Sequence, residues 1–346
     1  MRIVVMLYVL CTLNTTVLAQ YNNSWIDYST THQYFKFPIY KTGVYRLDSL
    51  TLANAGFPAG SISPQKIQLY ARGTQIPLHI RGEQDGVLNK IDYIEFYAQK
   101  NTGDLDTALY LTKGGNPYYS LFNDTINYFL TWSVNTQNGL RYAIDTTKNY
   151  NSYTPQTHWY KQVNTIFNNE YSYGKAVQGA TDYGYFAEEG WMTSTVNTQL
   201  NGYQININTP NVVTNLPLYI STAYATGSDA GTGGIDNKLQ VVLNNTVLAD
   251  TSVDGYAYFK NTFNTSSNLL TATNNFTFKS VNIGSGSSGR AYIAYFNLNY
   301  PASTSANNRS NYEFYSDINP LSTTLYNITQ QGGNKANTRI INISAN

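Results

Sequence analysis

Beyond Phe35 the chain is written in short runs of alternating apolar and polar residues bounded by turn formers, the period-2 pattern of half-buried β-strands. In IDYIEFYA, Asp92, Ile94, Phe96 and Ala98 share one side while Tyr93, Glu95 and Tyr97 share the other. In INYFLTW, Ile126, Tyr128, Leu130 and Trp132 line one side. The stretch from Ile91 to Trp132 therefore reads as one β unit. Ahead of it, Tyr34 to Tyr40 and Val44 to Leu47 predict a hairpin about Lys41-Thr42-Gly43. A short helix is expected after Asp48 or Ser49, either of which can cap its orphan amides, with Gly56 in place to end it. Lys66 to Ala71 and Gln75 to Ile80 flank a turn at Arg72-Gly73, and Pro77, which lacks a donor, puts the second run at a sheet edge.

The polar run DTTKNYNSYTP, Asp145 to Pro155, has no apolar period and marks a domain boundary. Further strands are predicted at Tyr203 to Asn208, Leu216 to Ala225, Leu239 to Leu243, Val247 to Ala249, Tyr256 to Phe259, Asn275 to Val281 and Arg290 to Tyr300. Asn244-Asn245 and Asp254-Gly255 supply turns. In the last strand Tyr292, Ala294, Phe296 and Leu298 are expected on one face and Ile293 and Tyr295 on the other, apolar on both sides as in a covered central strand. Glu313 to Tyr315 and Leu325 to Ile328 are each expected to add a strand. The fold class is all-β: two consecutive β domains, the second a β-sandwich or jelly-roll-like domain. The expected division is a signal peptide over 1–19, an N-terminal β domain over 20–148, a β-sandwich over 149–301 and a linker over 302–346.

Composition adds the compartment. Met1 to Ala19 has a basic start at Arg2, an apolar core from Ile3 to Leu13 and a small-residue cleavage site at Val17-Leu18-Ala19, so it reads as an export signal; the apolar run is too short to span a bilayer. The chain's one cysteine, Cys11, lies inside it, and Leu10 before it argues against lipid attachment. A mature chain without cysteine has no disulfide and no thiol chemistry. Only 12% of residues are charged, 32 are tyrosine and the formal net charge is +1. Tyrosine covers a sheet with apolar area while keeping a polar tip in water. With no basic stripe, nucleic acid is excluded as a partner, as is a membrane-spanning role.

Candidate chemistry is sparse. His32, His79 and His158 are scattered, and no G-x-S-x-G or H-E-x-x-H occurs, so neither a serine triad nor zinc is assigned. Asp229 to Asp236 (DAGTGGID) and Gly103-Asp104-Leu105-Asp106 offer oxygen ligands for calcium, but neither fits a helix-loop-helix pattern and both read as turn chemistry. Glu188-Glu189-Gly190-Trp191 places two acids beside a tryptophan; adjacent strand residues point to opposite faces, so the pair is read as a loop packed over Trp191 and not as a glycosidase dyad. The Gly-rich runs Gly227 to Gly234 and Gly284 to Gly289 read as flexible connections, since no helix or Lys follows to hold phosphate. No catalytic residue, cofactor or metal is assigned. Tyr and Trp are expected first in the core, then at a partner surface, then on a glycan.

The order D-Y-I-E-F-Y, then T-G-D-L-D-x-A-L-Y, then N-P-x-Y-S-L-F-N-D-T-x-N-Y-F-L-T-W resembles the region ahead of the catalytic domain in gingipain-type cysteine peptidases, and most closely in the PorU-like sortases of the type IX secretion system. The resemblance runs from about Phe35 to about Thr329, with K-T-G-V-Y-R at Lys41 to Arg46 also matching. It implies the non-catalytic N-terminal part of such an enzyme. The family's Cys and His motifs would lie beyond this chain, and Pro320 to Thr329 would begin the connection to them. The chain alone is therefore read as non-enzymatic. The resemblance implies export across the inner membrane to the bacterial outer surface or beyond, with cargo C-terminal signals or other secretion components as protein partners. The rival reading is a secreted glycan-binding module of the cell surface.

Overall fold

A computed structural model describes residues 23–29, 31–111, 115–145, 149–175, 184–197, 201–229, 231, 233–281, 283, 289–316, 324–333 and 338–343. The expected signal peptide and most of the Gly284 to Gly289 run lie outside them. The described structure is almost wholly antiparallel β, in two compact units: one of residues 1–100, 125–144 and 343–346, the other of residues 101–124 and 145–342. None of its helices is long and apolar enough to cross a membrane.

The first unit holds β1 (Phe35–Ile39), β2 (Gly43–Asp48), β3 (Ile67–Ala71), β4 (Thr74–Ile76), β5 (His79–Ile80), β6 (Tyr93–Ala98) and β7 (Ile126–Trp132). They form a four-stranded sheet, β1-β7-β3-β4, and a three-stranded sheet, β2-β6-β5. The predicted hairpin about Lys41-Thr42-Gly43 does not form. Phe35 pairs with Leu130 and Val44 with Tyr97, so β1 and β2 enter different sheets and the K-T-G turn carries the chain from one to the other. Local turn signals cannot distinguish a hairpin from a corner between sheets, because only the distant partners β6 and β7 decide it. The same division separates β6 from β7, so Ile91 to Trp132 is not one sheet. Arg72-Gly73 does close a hairpin, with Leu69 opposite Ile76, and Pro77 marks where the chain leaves β4 at one sheet's edge for β5 at the other's. Helix α1 (Ser49–Asn54) starts as expected: Asp48 accepts from the Thr51 amide at 2.8 Å, and Gly56 follows with φ +76°. Ile67, Leu69, Ile94, Phe96 and Leu130 are buried in this unit's core.

The second unit holds β8 (Pro155–Gln156), β9 (His158–Ile166), β10 (Glu170–Tyr173), β11 (Glu189–Met192), β12 (Val196–Asn197), β13 (Tyr203–Asn208), β14 (Pro217–Thr226), β15 (Asn237–Leu243), β16 (Thr246–Val253), β17 (Tyr258–Ser266), β18 (Thr273–Ser280), β19 (Arg290–Ser303) and β20 (Leu325–Tyr326). A sheet in the order β12-β19-β14-β17, with β9 also paired to β19, faces a sheet in the order β13-β18-β15-β16. Their core lies between, with the Phe276 and Phe296 rings 4.7 Å apart. Asn244 and Asn245 both take positive φ, the geometry that closes the β15–β16 hairpin.

The phase expected for β19 is corrected by a bulge. Ala223 pairs with Tyr295 and Tyr224 with Ile293, leaving Ala294 as an extra residue. One extra residue reverses the alternation, so Ile293 joins Phe296 and Leu298 in the sandwich core, while Ala294 and Tyr295 line the outer face with Met192. Residues 101–124, expected in the N-terminal domain, pack in this second unit. Asn116 Nδ2 donates to the Ala294 carbonyl at 3.1 Å, Tyr258 Oη donates to the Gly115 carbonyl at 2.6 Å, and the Tyr118 ring meets Tyr295 edge-on at 4.8 Å. Tyr315 bridges Tyr160, and Phe314 and Tyr326 pack against Trp159.

Candidate functional site

The β14–β15 loop and the β16–β17 turn meet at one end of the sandwich. Thr226 holds them together: its Oγ1 donates to the Gly255 carbonyl at 2.7 Å and accepts from the Ala257 amide at 2.7 Å. Asp236 is 5% exposed; its Oδ1 accepts from the Gly255 amide at 2.8 Å and from Asn237 Nδ2 at 2.7 Å. Gly255 lies at φ +64°, where a side chain is strained. These bonds bring exposed Asp229 and Asp254 beside Asp236, with one carboxylate oxygen of each within 4.8 Å of the others. Among the described residues this is the group that could hold a metal ion. Its donors are all oxygen, which suits a hard cation such as calcium better than zinc. An open depression lined by Lys175, Asp229, Gly231, Gly233, Asp254 and Tyr256 adjoins it.

The sequence singled out two of these acids. Asp254 lay outside the DAGTGGID run, and only its Asp-Gly turn pointed to it. The other oxygen-ligand candidate is a 3-10 turn: Asp106 Oδ2 accepts from the Leu121 amide at 2.7 Å, and Asp104 Oδ1 from the Thr102 hydroxyl at 3.2 Å.

Glu189-Gly190-Trp191-Met192 is a strand and not a loop, paired with β10 so that Trp191 lies opposite Tyr171. Both acids are buried. Glu189 Oε1 accepts from the Phe186 amide at 2.8 Å and its Oε2 from Tyr171 Oη at 3.4 Å, while Trp191 Nε1 donates to the Leu121 carbonyl at 3.3 Å. Glu188 Oε2 is enclosed without a hydrogen-bond partner. Burial, then the Glu189 charge, pushes the Tyr171 hydroxyl far above its ordinary value. Tyr110, whose hydroxyl donates to the Glu189 carbonyl, is raised by burial, then Asp106, then Glu189.

His32 Nε2 lies 2.8 Å from Thr131 Oγ1, and the His79 ring is 6.4 Å from Tyr93, both in the first unit; His158 is in the second, its ring 5.7 Å from Tyr160. Trp159, Tyr160, Tyr224 and Tyr300 are buried and Trp25, Trp132 and Trp191 half-buried, whereas Tyr173 and Tyr256 are exposed.

Solved structures with a similar fold include the dimeric latent PorU of Porphyromonas gingivalis, with a TM-score of 0.51 and 12% identity over 80% of this chain. The present chain spans 25% of the length of that PorU chain. The CBM36-1 domain of a multidomain xylanase from the hindgut metagenome of Trinervitermes trinervoides aligns with 40% of this chain and 96% of its own, at a TM-score of 0.25 and 9% identity. No family model and no curated protein matches the chain. The likeness to PorU is one of fold.

Proposed function

We propose that this chain is a non-catalytic N-terminal part of a PorU-like type IX secretion sortase, acting at the bacterial surface to bind or position cargo or secretion components. The observation that carries the reading is the shared fold with PorU over 80% of the chain. The ordered motifs between Asp92 and Trp132 point the same way. The one cysteine, Cys11, falls within the expected export signal, so thiol proteolysis would belong to a catalytic domain supplied elsewhere.

The test is binding. The purified chain freed of residues 1–19 is immobilised and exposed to the isolated C-terminal signal domain of a type IX cargo. Saturable binding is expected. Its absence, together with no Cys- and His-bearing catalytic domain encoded beside this chain, would remove the reading.

A further inference from the structure

The outer face of the sheet that contains β19 is covered in its upper part by Asn116 and Tyr118. Below that cover lie two adjacent rows of side chains fixed by register. In one, Asn164, Asn297, Ser221 and Thr262 stand side by side on β9, β19, β14 and β17; in the next stand Gln162, Asn299, Tyr219 and Asn264. The alternate residues Val163, Leu298, Ile220 and Phe263 pack into the core, which confirms that both rows face outward. Neighbouring strands are about 4.8 Å apart, so each row spans roughly 14 Å.

Every side chain in the two rows is uncharged, and all but Tyr219 carry an amide or an aliphatic hydroxyl. An amide offers donors and an acceptor together, and a hydroxyl either, which matches the dense, direction-free polarity of sugar hydroxyls. Asn164 Nδ2 already donates to Gln162 Oε1 at 3.1 Å, holding both side chains on the same face. Aromatic rings lie within and beside the tract: Tyr219 in the second row, tilted against Tyr160 at 5.7 Å, and Tyr295 next to the first, its hydroxyl 3.5 Å from Ser221 Oγ. Asn297, 3% exposed, donates through Nδ2 to Tyr118 Oη at 2.9 Å, but its Oδ1 is enclosed without any hydrogen-bond partner.

We infer that this face is a binding site for a neutral polysaccharide, laid across β9, β19, β14 and β17, with Tyr219 stacking on a sugar ring and Asn299 and Asn264 bonding its hydroxyls. The site does not depend on the sortase-like reading. The rows themselves carry no cation to pair with an anionic glycan or nucleic acid, Lys260 lying in the next row on β17, and an apolar peptide would strand the amides.

The probe is a panel of soluble neutral polysaccharides (xylan, galactomannan, laminarin and dextran), with alginate as the anionic comparison, in affinity gels of the full chain. At least one neutral polymer is expected to retard the chain, unaffected by salt, and Tyr219→Ala is expected to weaken that retardation about tenfold, as loss of a stacked ring does. Asn264→Ala, an exposed position on an edge strand that leaves the core untouched, is expected to weaken it as well. Retardation by no neutral polymer, by alginate alone, or equally in wild type and both variants would overturn the assignment. Binding of cargo signal domain in the absence of polysaccharide binding would sink this site and leave the proposed function standing; polysaccharide binding without cargo binding, and with no catalytic domain encoded beside the chain, would do the opposite.

Discussion

Single residues in this chain are held by specific polar partners. Asp236→Ala removes the acceptor for the buried Gly255 amide and for Asn237 Nδ2. A loss of about 1–3 kcal/mol is expected in urea unfolding, because the orphaned amide remains buried. Gly139→Ala would overlap the Ile67 carbonyl, a backbone atom that cannot yield, so it should be destabilising by at least about 1 kcal/mol. Lys161 explains why β9 was not read as a strand. It occupies an inward position between Trp159 and Val163, its amine 3.4 Å from the Tyr312 ring centre and 2.7 Å from the Glu313 carbonyl, where a bare alternation pattern calls for an apolar residue. Burial, then Arg309, lowers it from 10.5 to about 8, with Glu313 opposing. Between those values the unfolded chain holds the proton and the folded chain does not, so stability should rise with pH across that window. Lys161→Met should lack the rise, as urea unfolding at about pH 7.5 and about pH 9.5 would show. Above pH 10 the sense reverses: Tyr300, raised to about 12 by burial, keeps its proton when folded and loses it when unfolded.

At the scale of elements, partners far away in the chain decide what local pattern leaves open. Of the strands expected beyond Asp145, seven overlap β13 to β19 and Leu325 to Ile328 overlaps β20, because alternation and Asn or Gly turns are local signals, while Glu313 to Tyr315 gives a single bridge at Tyr315. The face of β19 above its bulge was not legible, since one extra residue at Ala294 reverses every side chain beyond it without altering composition. The Glu188-Glu189 acids illustrate the same limit, for only pairing with β10 makes Trp191 a strand residue. Among the described residues of segment 101–124 the regular structure is the 3-10 turn Asp104–Leu109, and the segment's place rests on side chains such as Asn116. Asn116→Ala should cost about 1–2 kcal/mol. It should also speed hydrogen exchange at Leu111, whose amide donates to the Tyr185 carbonyl, and at Tyr119.

For the whole molecule, the division into compact units does not follow the order of the chain, because residues 101–124 belong with 145–342. A fragment starting at Asp145 should therefore expose Ala223, Ala225, Ala294 and Tyr295, unfold at lower urea than the same unit in the full chain, and bind a hydrophobic dye. Adding the 101–124 peptide should reverse both effects. What the sequence alone determined is the all-β class, most strand positions and the capped helix, together with two of the three clustered acids. Each of these rests on residue-to-residue periodicity or on a turn that closes within a few positions. Tertiary structure alone decided that Lys41-Thr42-Gly43 is a corner and not a hairpin, that Asp254 joins Asp229 and Asp236, and that the amides of β9, β19 and β17 line two uncharged rows on one face. Those outcomes depend on register between strands as many as about 140 residues apart, and alternation within a strand specifies which side chains share a face but not which distant strand will lie beside them.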